Sequence, residues 1–135
     1  MAYWLVKSEP ETWSWASHAK AGSDAWTGVR NHQAKAHLNN MAPGDKVFFY
    51  HSGDEKAVVG VSEVARAAYP DPTDATAKFV AVDLKAVTPL KRPVPLSEIK
   101  GAADLADMVL VKNSRLSVQP VTAAEWAAIS ERGKA

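Results

Sequence analysis

Residues Lys46-Val-Phe-Phe-Tyr-His51 form a run in which apolar side chains occupy consecutive positions. A strand with one face in water alternates apolar and polar residues, whereas a strand buried on both faces reads as a continuous apolar run. Residues 46–51 are therefore predicted to form a strand in the middle of a closed sheet.

A helix is predicted immediately before this strand. Asn31 suits the N-cap position, and Ala34, Leu38 and Met41 follow the i, i+4, i+7 spacing that places apolar side chains on one helical face. Pro43-Gly44-Asp45 has the composition of a turn, which would lead the chain into the strand.

The N-terminal part of the chain reads as a strand, a short helix and a loop. Residues 2–7 combine aromatic and β-branched side chains, residues 9–21 suit a helix or two turns, and residues 23–30 are predicted as loop. Ser8 and Glu11 have the spacing of a helix capping box, so Ser8 has a structural interpretation as well as a functional one.

Further strands are predicted after residue 51. Residues 57–67 form a strand with a bulge or bend at Gly60, residues 69–74 an exposed loop, and residues 78–87 a strand with clear alternation. The next segment is confined to a sheet edge or a loop by its prolines, which are Pro89, Pro93 and Pro95.

The C-terminal segment ends in a well-marked helix. Residues 96–101 predict about one helical turn, and residues 108–118 are irregular or extended. Thr122 and Glu125 form a capping box, with Val121 and Trp126 as a hydrophobic staple and Gly133 at the helix end. Strands and helices alternate without a βαβ series, which favours an α+β fold with a small, mostly antiparallel, barrel-like sheet.

Length and composition limit the class of protein. The 135 residues suit one domain over residues 1–135, and the apolar fraction of 47% includes no run long enough to span a membrane. No secretory signal and no cysteine is present, so a cytoplasmic protein of a bacterium is expected, without disulfides or zinc–thiolate sites. A net charge of +1 restricts nucleic-acid binding to a local basic patch.

Three polar segments carry the side chains of greatest chemical interest. Residues 26–31 (WTGVRN) combine a flat ring, a glycine, a fixed cation and an amide, while residues 7–10 (KSEP) and 50–52 (YHS) each follow a predicted strand. Together they suit a site that grips a planar base beside a phosphate. Trp26 is either a stacking wall for that base or a loop anchor.

Catalysis and metal binding are weakly supported. His32 and His37 lie five residues apart and do not share a helical face, and no metal or cofactor is expected. His51 and Ser52 point to opposite faces of a strand, and the chain has no nucleophile elbow or phosphate-binding glycine loop. We therefore expect a binding module rather than an enzyme. A hydrolase would need a titratable group at the pocket, and the candidates for that group are Glu9 and His51.

Several ordered motifs give the chain a family resemblance. They are Tyr3–Pro10, Trp26–Ala34, Gly44-Asp45, Phe49–Ser52, Tyr69–Pro72 and Ser114–Pro120. In these motifs the chain resembles the EVE domain family, which belongs to the PUA-like superfamily and is related to the YTH readers. The resemblance implies a small PUA-like β pseudo-barrel of about five to six mostly antiparallel strands with flanking helices.

The resemblance also implies recognition of a modified base. The expected ligand is DNA with methyl- or hydroxymethylcytosine, and the modified base would be flipped into an aromatic and polar pocket. The protein is expected to be a monomer. A protein partner would supply any effector activity. Eleven residues would line or border the pocket: Lys7, Ser8, Trp26, Gly28, Val29, Arg30, Asn31, His51, Ser52, Arg115 and Ser117.

Roles can be assigned within this set. Trp26 would stack on the base, Asn31 with Ser8 or Ser117 would read its edge, and Arg30, Lys7 and Arg115 would hold phosphates. Three alternatives stay open: an RNA-binding module for modified ribonucleotides, a hydrolase acting on the modified base, and a protein-interaction domain.

Overall fold

The computed structural model describes residues 2–134, in which helices pack against one six-stranded sheet. The strands are β1 (Tyr3–Ser8), β2 (Ser23–Trp26), β3 (Lys46–His51), β4 (Ala57–Pro70), β5 (Val80–Pro95) and β6 (Val118–Val121). The helices are α1 (Trp15–Ala21), α2 (His32–Asn40), α3 (Leu96–Gly101), α4 (Val109–Lys112) and α5 (Ala123–Gly133), with a short 3-10 helix at Ala103–Leu105. No helix in this part of the chain is long and apolar enough to cross a membrane.

The sheet has the strand order β2-β5-β4-β3-β1-β6. β1 runs parallel to β3, and the other strand pairs are antiparallel. This confirms the predicted α+β class with a mostly antiparallel sheet. The expected closure of the sheet is wrong, because the two outer strands, β2 and β6, are not paired with each other within residues 2–134.

β3 confirms the prediction from its apolar run. It lies between β4 and β1, and successive side chains point to opposite faces of the sheet. Phe49 packs into one hydrophobic core with Val6 and Leu38. Phe48 packs into a second core, where its ring stacks on Trp126 with centroids 3.7 Å apart. Residues 47–50 form a continuous run of large side chains because they alternate between the two cores.

Two helices begin as their sequences predict. Asn31 caps α2 through its Oδ1, which accepts a hydrogen bond from the Ala34 amide at 2.9 Å. The apolar stripe of α2 is buried, and Thr122 and Glu125 form the predicted capping box of α5. Local side-chain chemistry decides these helix starts, so the sequence was sufficient to locate them.

The segment after β1 differs from its prediction. α1 begins at Trp15, and its N-cap is Ser14, whose Oγ accepts from the Ser17 amide at 3.1 Å. The capping box that Ser8 and Glu11 could have formed is absent from this helix start. Ser8 instead uses its hydroxyl to hold the Trp13 carbonyl.

Three other segments also differ. Residues 23–26, predicted as loop, form the edge strand β2, because their main chain pairs with β5 from Ser23 opposite Lys85 to Trp26 opposite Val82. Residues 69–74 are not all exposed, since β4 continues to Pro70 and Asp71 is buried. Residues 108–118, predicted as irregular or extended, include the helix α4 and the start of β6.

The proline-rich half of β5 lies at the sheet edge. β2 covers β5 only as far as Lys85, so within the described part of the chain residues 86–95 pair with β4 alone. The predicted edge position is confirmed, and the alternative of a loop is wrong. Prolines are tolerated here because an edge strand does not need every amide for pairing.

Candidate functional site

A cleft of about 550 Å³ opens where β1, the end of β2 and the segment after β2 meet. This volume falls in the range of small-molecule binding sites. Eight of the predicted site residues line the cleft: Lys7, Ser8, Trp26, Gly28, Val29, Arg30, Asn31 and Ser117. The remaining wall is made by Glu9, Thr12, Trp13, Asp24, Ala25 and Thr27.

Trp26 is both an anchor and a wall of the cleft. Its ring meets the Phe49 ring edge to face, with centroids 5.7 Å apart and planes at 86°. The residue is half-buried and still lines the cleft. The contact with Phe49 fits the interpretation of Trp26 as an anchor. Its place in the wall of the cleft is compatible with stacking on a base, which stays a prediction.

The segment after β2 is fixed by hydrogen bonds to the carboxylate of Asp71. Gly28 has a φ of +83° and donates its amide to Asp71 Oδ2 at 2.8 Å. Arg30 Nη1 donates to the same oxygen at 3.0 Å, and Arg30 Nη2 donates to Thr73 Oγ1 at 2.9 Å. The Asp71 side chain is fully buried, while that of Arg30 is 41% exposed. The Arg30 guanidinium is therefore held through both Nη atoms while the side chain stays partly exposed.

Asp71 is ionised over most of the pH range. Burial opposes its charge, but hydrogen bonds from Thr73, Gly28 and Arg30 outweigh that cost and lower the pKa of Asp71 to about 2. The sequence alone did not single out this carboxylate. The available signal was its position between prolines in the Tyr69–Pro72 motif.

Lys7 and Ser8 form the floor next to β6. Lys7 Nζ donates to the Ser114 carbonyl at 2.5 Å and lies 5.7 Å from the centre of the Tyr50 ring. Burial lowers the pKa of Lys7 and raises that of Tyr50 to about 12. The Ser8 hydroxyl donates to the Trp13 carbonyl, so its oxygen can offer the cleft an acceptor but its proton is already used.

His51 and Ser52 lie beside the cleft and do not line it. His51 Nε2 accepts from the Trp15 amide at 2.9 Å, and its Nδ1 donates to Glu55 Oε1 at 2.7 Å. Since both ring nitrogens are bonded, the predicted role of His51 in contacting the base, or in a hydrolase, is not supported. Ser52 donates its amide to the Ser8 carbonyl at 2.9 Å, which fixes the end of β1.

Arg115 is exposed in the loop before β6 and is not a lining residue. It lies two positions before Ser117, whose carbonyl accepts the Lys7 amide at 2.9 Å. Arg115 therefore belongs to the surroundings of the cleft, where a phosphate contact stays a prediction.

Two carboxylates and one amide add polar groups to the wall. Glu9 and Asp24 line the cleft, and Asp24 Oδ1 accepts the Ala25 amide at 2.9 Å. Asn31 uses its oxygen as the cap of α2, and its amide nitrogen has no hydrogen bond within residues 2–134. Asp24 is absent from the predicted site residues, since residues 23–30 are predicted as loop and Asp24 belongs to β2. Within the same residues no cluster of His, Asp and Glu is suited to a metal ion.

Comparison with known proteins gives close relatives in sequence and structure. A Rhodopseudomonas palustris protein solved by NMR is 57% identical, with a TM-score of 0.94 over 98% of this chain and 93% of that chain. Human thymocyte nuclear protein 1 is 32% identical over 93% of this chain and 71% of its own length. Its structure in complex with DNA containing 5-methylcytosine is 30% identical, with a TM-score of 0.93 over 100% of this chain and 99% of that chain.

A more distant structure shares the fold alone. The YTH domain of a Zygosaccharomyces rouxii protein, in complex with N6-methyladenosine RNA, is 18% identical with a TM-score of 0.61 over 99% of this chain and 87% of that chain. The sequence model of the EVE domain matches residues 2–132, nearly the whole length. On this match, the chain belongs to the EVE domain family.

Proposed function

We propose that this protein binds a modified base of nucleic acid, and that the base is a methyl- or hydroxymethylcytosine in DNA. The main support is the half-buried Trp26 indole, which forms part of the wall of a cleft of about 550 Å³. Arg30 lines the same cleft. The related human structure contains DNA with 5-methylcytosine, which supports the same class of ligand here.

The polar groups of the cleft favour a base that carries an amino group. Glu9 and Asp24 are part of the cleft wall, and carboxylates there would accept hydrogen bonds from the N4 amino group of cytosine. Thymine carries an oxygen acceptor at that position, which a carboxylate would repel. The Asn31 amide nitrogen supplies a donor for the carbonyl edge of the same base.

The base would enter the cleft by leaving its stack. Flipping costs a few kcal/mol, and the cost is smallest where the strand is single or weakened. Stacking on an aromatic side chain returns about 1–3 kcal/mol per base, so Trp26 offsets much of this cost. Burial of one methyl group is worth about 0.8 kcal/mol at most, so cytosine and 5-methylcytosine should differ by only a few-fold in affinity.

A titration of matched oligonucleotides at one salt concentration tests the proposal. The set carries cytosine, 5-methylcytosine, 5-hydroxymethylcytosine or thymine at one central position. We expect the modified cytosines to bind most tightly and thymine least. Equal affinity for all four would show that the base is not read. Mass analysis after long incubation should return every oligonucleotide unchanged, whereas a released base would favour the hydrolase alternative with Glu9 in the cleft.

Asn31→Ser separates base reading from folding. Serine retains an N-cap oxygen for α2 and removes the amide donor, so we expect a loss of about two- to tenfold in affinity for cytosine derivatives with little change in melting temperature. Thr122→Ser is the matched control, because it exchanges one cap residue for another at α5, away from the cleft. If both variants bind like the wild type, Asn31 does not contact the base.

A further inference from the structure

A second aromatic surface lies directly beside the cleft. The half-buried Phe79 ring has the Arg30 guanidinium carbon 5.6 Å from its centre and the Lys35 Nζ 5.9 Å from its centre. The His32 ring lies 5.1 Å away and is tilted by 32°. We call this set of four residues, Phe79, His32, Arg30 and Lys35, the Phe79 platform. It shares Arg30 with the cleft.

The Phe79 ring does not belong to either hydrophobic core. Its neighbour Val80 packs on the first core, but Phe79 is absent from both. An aromatic side chain that is partly exposed and surrounded by cationic groups contributes little to the folded state through burial. Its position beside a nucleic-acid site therefore points to a contact outside the chain.

The main chain holds Phe79 in a fixed position. The Asp74 carboxylate accepts the amides of Lys78 at 2.9 Å and Phe79 at 2.8 Å, and the Phe79 carbonyl accepts the Asp71 amide at 3.0 Å. The Thr76 hydroxyl donates to the same carboxylate, and this bond, with those from the amides, holds the pKa of Asp74 well below its usual range, so the carboxylate stays charged and bonded. A platform fixed in this way costs little ordering entropy when a ligand stacks on it.

The charge of the platform suits a phosphodiester strand. The Arg30 guanidinium is held by hydrogen bonds from both Nη atoms, yet its side chain is 41% exposed. Lys35 has no ion pair within residues 2–134. His32 is exposed at the start of α2. Aromatic rings next to cations are the arrangement by which proteins hold unpaired bases together with their phosphates.

We propose that the Phe79 platform is a second subsite, on which a nucleotide flanking the flipped base stacks as the strand leaves the cleft. This inference rests on the proposed function. In it, Phe79 and the His32 ring that packs against it supply the aromatic surface, and Arg30 and Lys35 hold the phosphate between the two nucleotides. The partner is therefore a strand of at least two nucleotides, unpaired at the flanking position.

The test compares ligands of increasing length. The probes are 5-methyl-2′-deoxycytidine monophosphate and single-stranded oligonucleotides of three and five nucleotides with a central 5-methylcytosine. For the wild type, affinity should rise from the mononucleotide to the oligonucleotides. Phe79→Leu keeps apolar bulk and removes the aromatic face, so it should weaken the oligonucleotides by about five- to 100-fold and leave the mononucleotide unchanged.

Matched variants control for indirect effects. Val87→Ala shortens an exposed apolar side chain of β5. Val87 lies five residues along the strand from Val82, the partner of Trp26, so this variant should bind every probe like the wild type. Lys35→Gln should reduce the salt dependence for the five-nucleotide probe, while Lys91→Gln, on the proline-rich edge, should not.

Each result has a separate meaning. Tight mononucleotide binding without any gain from added nucleotides overturns the platform and leaves the proposed function intact. An equal loss of affinity for all probes in Phe79→Leu overturns the proposed second subsite, because it shows that the substitution disturbs the cleft through the loop that carries Phe79. If the wild type binds none of the probes, the proposed function fails and the inference fails with it.

Discussion

Asp71 connects two loops that would otherwise be free to move relative to each other. Its carboxylate accepts bonds from Gly28 and Arg30 on the cleft side, and from the amide and hydroxyl of Thr73 on its own side. A buried carboxylate with this many donors orients its partners strongly. The position of the Arg30 guanidinium, at the cleft and at the Phe79 platform, therefore depends on a residue that does not line the cleft.

Asp71→Asn should lower the free energy of unfolding and weaken oligonucleotide binding. Asparagine retains one oxygen acceptor but loses the charge, so we expect a loss of about 1–3 kcal/mol in stability. Chemical denaturation with a parallel binding titration measures both effects. Asp107→Asn is the control, because that carboxylate is 93% exposed and its ion pair with Lys112 should contribute little. Unchanged affinity in Asp71→Asn would show that Arg30 does not need this support.

The same carboxylate predicts a pH dependence. The folded pKa of Asp71 is about 2, below its ordinary value of 3.8, so the unfolded chain binds more protons between these values. Its contribution to stability is therefore complete above about pH 4 and is lost as the pH falls toward 2. The difference in stability between the wild type and Asp71→Asn should shrink over this window, and a constant difference would contradict the assigned pKa.

At the scale of the single residue, sequence reasoning found the groups whose chemistry is visible in isolation. Trp26, Arg30 and Asn31 stand out because a ring, a cation and an amide are unusual together in a short polar segment. His51 was expected to line or border the pocket, and it lies beside the cleft. Its hydrogen bonds to Trp15 and Glu55 could not be foreseen, because they depend on how the chain folds around the end of β3.

At the scale of the element, the predictable parts were those defined by their own residues. β3 was identified by its apolar run, and α2 and α5 by their caps. β2 was missed, because four residues of an edge strand show no useful alternation and owe their conformation to pairing with β5. Without β2 in the prediction, Asp24 on that strand was not recognised as part of the cleft wall.

Gly60 shows how β4 and α1 depend on each other. A Cβ built at Gly60 would lie 2.6 Å from two ring carbons of Trp15, and the β4 register shifts at this point. The glycine predicted from the sequence as a bulge or bend is therefore also a contact point for a helix. Trp15 in turn donates its amide to His51 at the end of β3.

Gly60→Ala should destabilise the protein by about 1–3 kcal/mol, because the indole of Trp15 must move out of its packed position. Gly101→Ala is the matched control: no atom lies within 4 Å of a Cβ built there, so the change should be neutral or slightly stabilising. Thermal and denaturant unfolding of both variants measure the difference. Equal stability of the two variants would mean that the Trp15 indole can move aside without destabilising the protein.

At the scale of the whole molecule, the small net charge makes the arrangement of cations decisive. The overall charge is only +1, so attraction to a polyanion must come from the side chains around the cleft. Lys7 holds the loop before β6 at two points, through its Nζ on the Ser114 carbonyl and through its amide on the Ser117 carbonyl. Arg115 lies between these two points, exposed on a loop fixed at both ends.

Arg115→Ala should weaken binding to all sequences alike and lower the slope of log affinity against log salt by about 0.7 for a single-stranded probe, the value for one phosphate contact. Discrimination among the bases should stay unchanged, since a phosphate contact carries no sequence information. Lys91→Ala, which removes an exposed cation on the far edge of β5, should leave the slope as it is.

An unchanged slope in Arg115→Ala would exclude Arg115 from the phosphate contacts. Loss of base discrimination would instead place its side chain against the base. The slope is the decisive measurement because it responds to the number of phosphates neutralised, whereas affinity alone also falls when the loop is merely disturbed.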